Sequence, residues 1–176
     1  MQNNHVKKLV FTSLFTALII VCTAYVSIPL PLVGYVHFGD AFIFLATFIL
    51  GPIYGAVASG VGSALADLIV YPAYALGTLI VKALMSLSAY ALYYLLKKAI
   101  KKMVIVEIIA GIVGTIVMAL GYFVFEFIWV LPGSLSVAVN IPFSLLQGAV
   151  GVAIAVIIMR LLEKTKLLRT LTKHKE

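Results

Sequence analysis

Twelve of the thirteen Lys and Arg residues fall into three short segments, and the chain between those segments is almost wholly apolar. Lys7 and Lys8 precede the first apolar run. Lys97, Lys98, Lys101 and Lys102 share one gap, and Arg160, Lys164, Lys166, Arg169, Lys173 and Lys175 form the tail. Basic residues flank membrane spans on the cytoplasmic side. If all three segments are cytoplasmic, an even number of spans must separate each neighbouring pair. Residues 103–159 hold two helices, broken at Leu131-Pro132-Gly133-Ser134. Residues 9–96 hold four better than two, because two would leave long apolar remainders unplaced. The expectation is an all-α integral membrane protein with six transmembrane helices, both termini cytoplasmic and one domain over 1–176.

Composition excludes the other broad classes. At 64% hydrophobic and 11% charged, the chain departs far from soluble domains, which run about 45–50% apolar and about 25% charged. One cysteine, Cys22, excludes a disulfide scaffold. The formal charge of +7 would suggest nucleic acid in a soluble protein; here topology accounts for it, and the partner expected is the bilayer. A multi-pass protein of the cell membrane follows, with no cleavable signal peptide expected, since no A-x-A-like site follows residue 20.

Turn chemistry sets the breaks. Pro29 and Pro31 end a first helix at about 9–28. As one helix, residues 40–70 would extend about 46 Å, beyond the roughly 30 Å hydrocarbon core, so the chain folds back at Gly51-Pro52. That gives a short second helix (39–50), a third (53–70) and a fourth (74–96) after Tyr71-Pro72. The fifth and sixth run over about 103–130 and 140–162. Gly51, Gly55 and Ser59 in the third helix stand four apart, as do Ala58, Gly62 and Ala66, the spacing that lets membrane helices approach closely. Ser13 and Ala17 make a weaker version on the first.

Few ionisable groups remain away from the basic segments. His37, Asp40, Asp67, Lys82 and Glu126 all fall in the outer half of this topology, and Glu107 near the inner interface. Charges at lipid depth are costly, by about 2.5–3.5 kcal/mol at a helix centre, so they pair or line a wet cavity. The tight turn between the third and fourth helices makes an Asp67–Lys82 ion pair plausible. Glu126 lies in the aromatic run Tyr122-Phe-Val-Phe-Glu126-Phe-Ile-Trp129, where Trp129 reads as an interface anchor or a pocket wall. Asn140, Ser144 and Gln147 share one face of the sixth helix. The loop from Pro29 to Asp40 adds Tyr35 and His37. These groups converge on one outer face, where aromatic rings with a few polar groups suit a planar, water-soluble metabolite.

Catalytic chemistry has little to stand on. No metalloprotease, nucleophile-elbow or phosphate-loop motif occurs. Two of the three histidines, His5 and His174, lie in the tails, so no metal site or other cofactor is expected. An Asp67/Glu126 acid–base pair is the one enzymatic alternative, and a structural or assembly role is the other.

Phe38-Gly39-Asp40, then Gly51-Pro52-Ile-Tyr-Gly55-Ala-Val-Ala-Ser-Gly60, then Ala66-Asp67-Leu68 and Thr78-Leu79-Ile-Val-Lys82 resemble the substrate-binding S components of energy-coupling factor (ECF) transporters. The similarity is greatest to the riboflavin-type subgroup, with its suspected pyridoxine and hydroxymethylpyrimidine carriers, and it covers essentially the whole chain. It implies a non-enzymatic subunit that captures a small vitamin from outside. Such a subunit docks on a transmembrane coupling subunit bearing two ATP-hydrolysing subunits and topples to release its ligand. It further implies docking through the small residues of helix one, here Ser13 and Ala17 in place of the usual alanine pair. A lid is implied over Pro29–Asp40, with pocket residues from the outer ends of helices three to six. The expected site is Tyr35, His37, Asp40, Asp67, Lys82, Glu126, Trp129, Asn140 and Gln147, for a pyridoxine- or hydroxymethylpyrimidine-like ligand or riboflavin.

Overall fold

The computed structural model describes residues 2–29 and 35–164. Lys166, Arg169, Lys173 and Lys175 of the basic tail, and the middle of the expected lid, lie outside the described residues. Six helices follow in order: α1 (Gln2–Ala24), α2 (Gly39–Leu50), α3 (Pro52–Val70), α4 (Ala75–Leu96), α5 (Met103–Phe125) and α6 (Asn140–Glu163). Five of these segments are long and apolar enough to cross a membrane, and Gly39–Leu50 is shorter.

Two boundaries depart from the sequence reading. α1 starts seven residues earlier than expected, carrying its polar N-terminal end as helix. It also stops at Ala24, because the next residues pair instead of coiling. Ser27–Pro29 forms strand β1, antiparallel to β2 at Tyr35–His37, with Ile28 opposite Val36. Pro29 is tolerated there because a two-stranded ribbon is all edge. The second departure lies after α5, where Glu126–Val130 winds into a π turn closed by Leu131 N–H donating to the Glu126 carbonyl at 2.8 Å.

α2 organises the molecule. Its twelve residues span about 18 Å, well short of a bilayer core. Eleven of the twelve are buried. α1, α3, α4, α5 and α6 pack in that sequence around it, and α2 closes the gap between α6 and α1. Ile43, Phe44, Leu45 and Phe48 of α2 thus meet Ile19, Ala58, Met85, Met118 and Val152 in one core.

Small residues permit that arrangement. Gly51 ends α2 at φ 93°, a backbone state that a Cβ penalises, and Pro52 starts α3 with the φ that a first helical turn needs. A Cβ on Gly55 would stand 2.8 Å from the Thr47 Cα of α2, and one on Gly60 would stand 2.8 Å from the Leu79 carbonyl oxygen of α4. One on Gly62 would press on Ile19 of α1 at 3.0 Å. The small-residue face of α3 therefore serves three neighbours at once.

Candidate functional site

The polar groups gather where β2, the start of α2, the end of α3, the start of α4, the end of α5 and the start of α6 converge. Several are brought there by an element boundary, while Lys82 and Gln147 lie about two turns inside α4 and α6. Asp40 occupies the first turn of α2, Asp67 the last turn of α3, and Asn140 opens α6.

Behind the β-ribbon lies a closed chain of side chains. Lys82 forms an ion pair with Asp40, both side chains at 0% exposure, and its ammonium also lies 2.9 Å from Met118 Sδ. The other Asp40 oxygen accepts from Gln147 Nε2 at 2.7 Å. Gln147 Oε1 accepts from the His37 backbone N–H at 2.9 Å, tying the ribbon to α6. His37 Nδ1 accepts from the Gly39 N–H at 3.1 Å. Removal from water, reinforced by the Lys82 charge and partly opposed by Asp40, pushes the His37 pKa down to about 3. The ring is neutral at physiological pH.

In front of this chain is a cavity of about 30 Å³ lined by Tyr35, His37, Asp67, Tyr74, Thr78, Tyr122, Glu126 and Ser144. Tyr35 donates its phenol proton to Asp67 Oδ1. Burial first, and the Asp67 hydrogen bond next, hold that phenol above its ordinary range. Tyr74 donates to Glu126 Oε1 at 3.0 Å and Asn140 Nδ2 donates to Oε2 at 3.1 Å. Thr78 and Tyr122 share a hydrogen bond at 3.1 Å, and the Lys82 ammonium sits 5.5 Å from the Tyr122 ring centre. About 30 Å³ is room for one or two waters, too little for a ring-sized metabolite with Tyr35 and His37 in these positions.

Of the expected site residues, Tyr35, His37, Asp67 and Glu126 line the cavity. Asp40, Lys82 and Gln147 form the chain behind it, and Asn140 reaches it through Glu126. Three expectations are corrected. The partner of Lys82 is Asp40, not Asp67. Lys82 lies seven residues into α4 and Asp67 three residues before the end of α3, so their depths differ by about 6 Å at 1.5 Å per residue. The head of α2 supplies a carboxylate at the depth of Lys82. Trp129 is no pocket wall, being 72% exposed on the outside of the bundle. Residues i and i+3 share a face in an α-helix, but the π turn holds more residues per turn, so Glu126 faces inward while Trp129 does not. Glu107, expected at the interface, is buried and paired with Arg160 at 2.5 Å.

Tyr74, Thr78 and Tyr122 were absent from the expected site. Thr78 stands four before Lys82, and Tyr122 four before Glu126, so helical spacing from the two charges would have found both. Tyr74 sits in a 3₁₀ turn (Pro72–Tyr74), where no such periodicity applies. Away from the cavity, Ser13 and Ala17 are exposed along α1 beside Val10, Leu14 and Val21. Among the described residues no group of His, Cys, Asp and Glu could hold a metal ion.

Residues 3–164 match the family model described as "ECF-type riboflavin transporter, S component". A solved structure described as "Structure and mechanism of the S component of a bacterial ECF transporter" superposes with a TM-score of 0.69 at 28% identity, covering 93% of this chain and 98% of that one. A Pyrococcus woesei protein described as "Uncharacterized protein in gap 3'region" is 52% identical over 63 residues, which are 35% of this chain. The match spans 43% of that relative's length.

Proposed function

The chain belongs to the S-component family of ECF-type riboflavin transporters, and from that premise we propose that it captures riboflavin at the outer face of the cell membrane for ATP-driven uptake. As a member of that family it is a membrane-embedded substrate-binding transporter subunit and not an enzyme. The proposal adds the ligand, the orientation and the partners. Six spans with both termini inside account for the basic segments at Lys7–Lys8 and Lys97–Lys102 and the run that begins at Arg160. With that orientation the cavity opens outward, beneath the β-ribbon.

The observation that carries the reading is the convergence of Tyr35, Tyr74, Tyr122, Asp67 and Glu126 around one small cavity beside the β-ribbon. Aromatic faces suit a planar ring system; the carboxylates and hydroxyls suit a ligand with several O–H or N–H donors. Uptake against a gradient needs a transmembrane coupling subunit and two ATPase subunits, which would meet the exposed α1 stripe at Ser13 and Ala17.

Riboflavin titrated into the purified protein should quench its own fluorescence at a low-micromolar or tighter midpoint and raise the protein's melting temperature, since a ligand that binds only the folded state stabilises it. Neither change at saturating riboflavin overturns the ligand assignment. A second reading, a pyridoxine- or hydroxymethylpyrimidine-sized ligand, is favoured by the small volume under the closed ribbon. Melting shifts with those compounds and none with riboflavin would select it.

A further inference from the structure

We infer that the site selects its ligand by charge, holding an uncharged, donor-rich vitamin and rejecting its phosphorylated form, with Asp67 and Glu126 as the residues that discriminate. The inference rests on the uptake role proposed above and concerns the same cavity.

Among the described residues, the charged groups and helix starts at this end that could receive a phosphate already have partners. Two carboxylates face the cavity, Asp67 and Glu126, each 3% exposed. Both oxygens of Glu126 accept hydrogen bonds, from Tyr74 and from Asn140, the pattern of an acceptor-only carboxylate. The ammonium nearest the cavity belongs to Lys82. It is 0% exposed and is matched by Asp40, leaving no net positive charge to offer. The remaining Lys and Arg residues belong to the three basic segments. Arg160, the arginine among the described residues, is taken up by Glu107 and Glu163. Loop residues 30–34 carry no ionisable side chain in the sequence.

Helix N-termini are the other common phosphate receptors. Three helices begin at this end, and the opening residues of each already meet a carboxylate from within the protein, those of α4 through Tyr74 at its start, which donates to Glu126. Asp40 stands in the first turn of α2, and Asn140, the first residue of α6, donates to Glu126. A phosphate brought here would meet two like charges at low dielectric and no counter-charge, an arrangement strongly unfavourable in a buried interface. Hydroxyl and amine donors find the reverse, because Asp67 already accepts a phenol proton from Tyr35. A ligand O–H or N–H that displaced the phenol would take that place.

The test compares riboflavin with riboflavin 5′-phosphate, by fluorescence titration on the full chain in detergent and on Asp67→Asn and Glu126→Gln. The phosphate is expected to bind weaker by on the order of a hundredfold, and either substitution should narrow that ratio. Equal or tighter binding of the phosphate to the unaltered protein overturns the inference without touching the uptake role. So does an unchanged ratio in both substituted proteins, and the first measurement stands even if a substitution prevents folding. If neither flavin binds, the riboflavin assignment fails and pyridoxine is compared with pyridoxine 5′-phosphate. Equal affinities there overturn charge selection, and no binding in either pair overturns both proposals.

Discussion

At the residue scale, Lys82 and Asp40 define what the polar interior tolerates. Breaking a buried ion pair by removing one partner typically costs about 3–5 kcal/mol, because the other charge is left uncompensated. Asp40→Asn is therefore expected to lower the melting temperature sharply even without ligand, and adding Lys82→Met should recover part of the loss; a thermal-shift series on the two single variants and the double checks this. His37 adds a pH dependence. Its ordinary value is 6.5, pushed down to about 3 in the folded protein, so the unfolded chain binds the proton more readily. The stability that His37 contributes is complete above about pH 6.5 and declines as the pH falls towards 3. His37→Asn should flatten that part of a melting-temperature profile between neutral and mildly acid pH. Asp67, Glu126 and Gln147 were legible in the sequence because polar side chains are scarce at lipid depth. Their pairings were not, since a partner depends on depth, and depth depends on how far α2 reaches.

At the element scale, the small residues of α3 were legible as a packing face, and contact with α1, α2 and α4 gives the physical reason why they are not confined to one stripe. Gly55→Ala puts a methyl carbon 2.8 Å from the Thr47 Cα, a backbone atom that can move only with its helix. Overpacking of this kind costs about 1–3 kcal/mol, and the site should suffer too, because α2 carries Asp40. A lowered melting temperature together with weakened ligand binding is expected; unchanged values for both would show that α2 and α3 slide apart freely. The end of α1 and the π turn were not legible. Strand pairing between Ser27–Pro29 and Tyr35–His37 is a contact across a loop, and a π turn leaves no periodic mark in five residues. Both features lie against the cavity, where local departures from regular geometry concentrate.

At the scale of the whole molecule, the two ends divide the work. The ribbon end gathers Asp40, Asp67, Lys82, Glu126 and Gln147 and the opposite end the basic segments, while α1 turns Val10, Ser13, Leu14, Ala17 and Val21 outward along its length. If that stripe meets the coupling subunit, Ala17→Leu should leave ligand affinity and melting temperature near their original values. It should also reduce the coupling subunit recovered with the protein from membranes in which both are produced. Equal recovery would move the docking surface elsewhere. The order of helices around α2 could not be read from the basic segments, which bear only on which helix ends lie together.

The shortness of α2 has a mechanical consequence. With eleven of its twelve residues enclosed by other helices, it presents almost nothing for acyl chains to grip. A membrane that thickens or thins therefore tugs on the five long helices, while the carboxylate at the head of α2 rides with them at a fixed level, like a keel hung inside a hull. Capture of the vitamin should then vary little between lipids of different chain length.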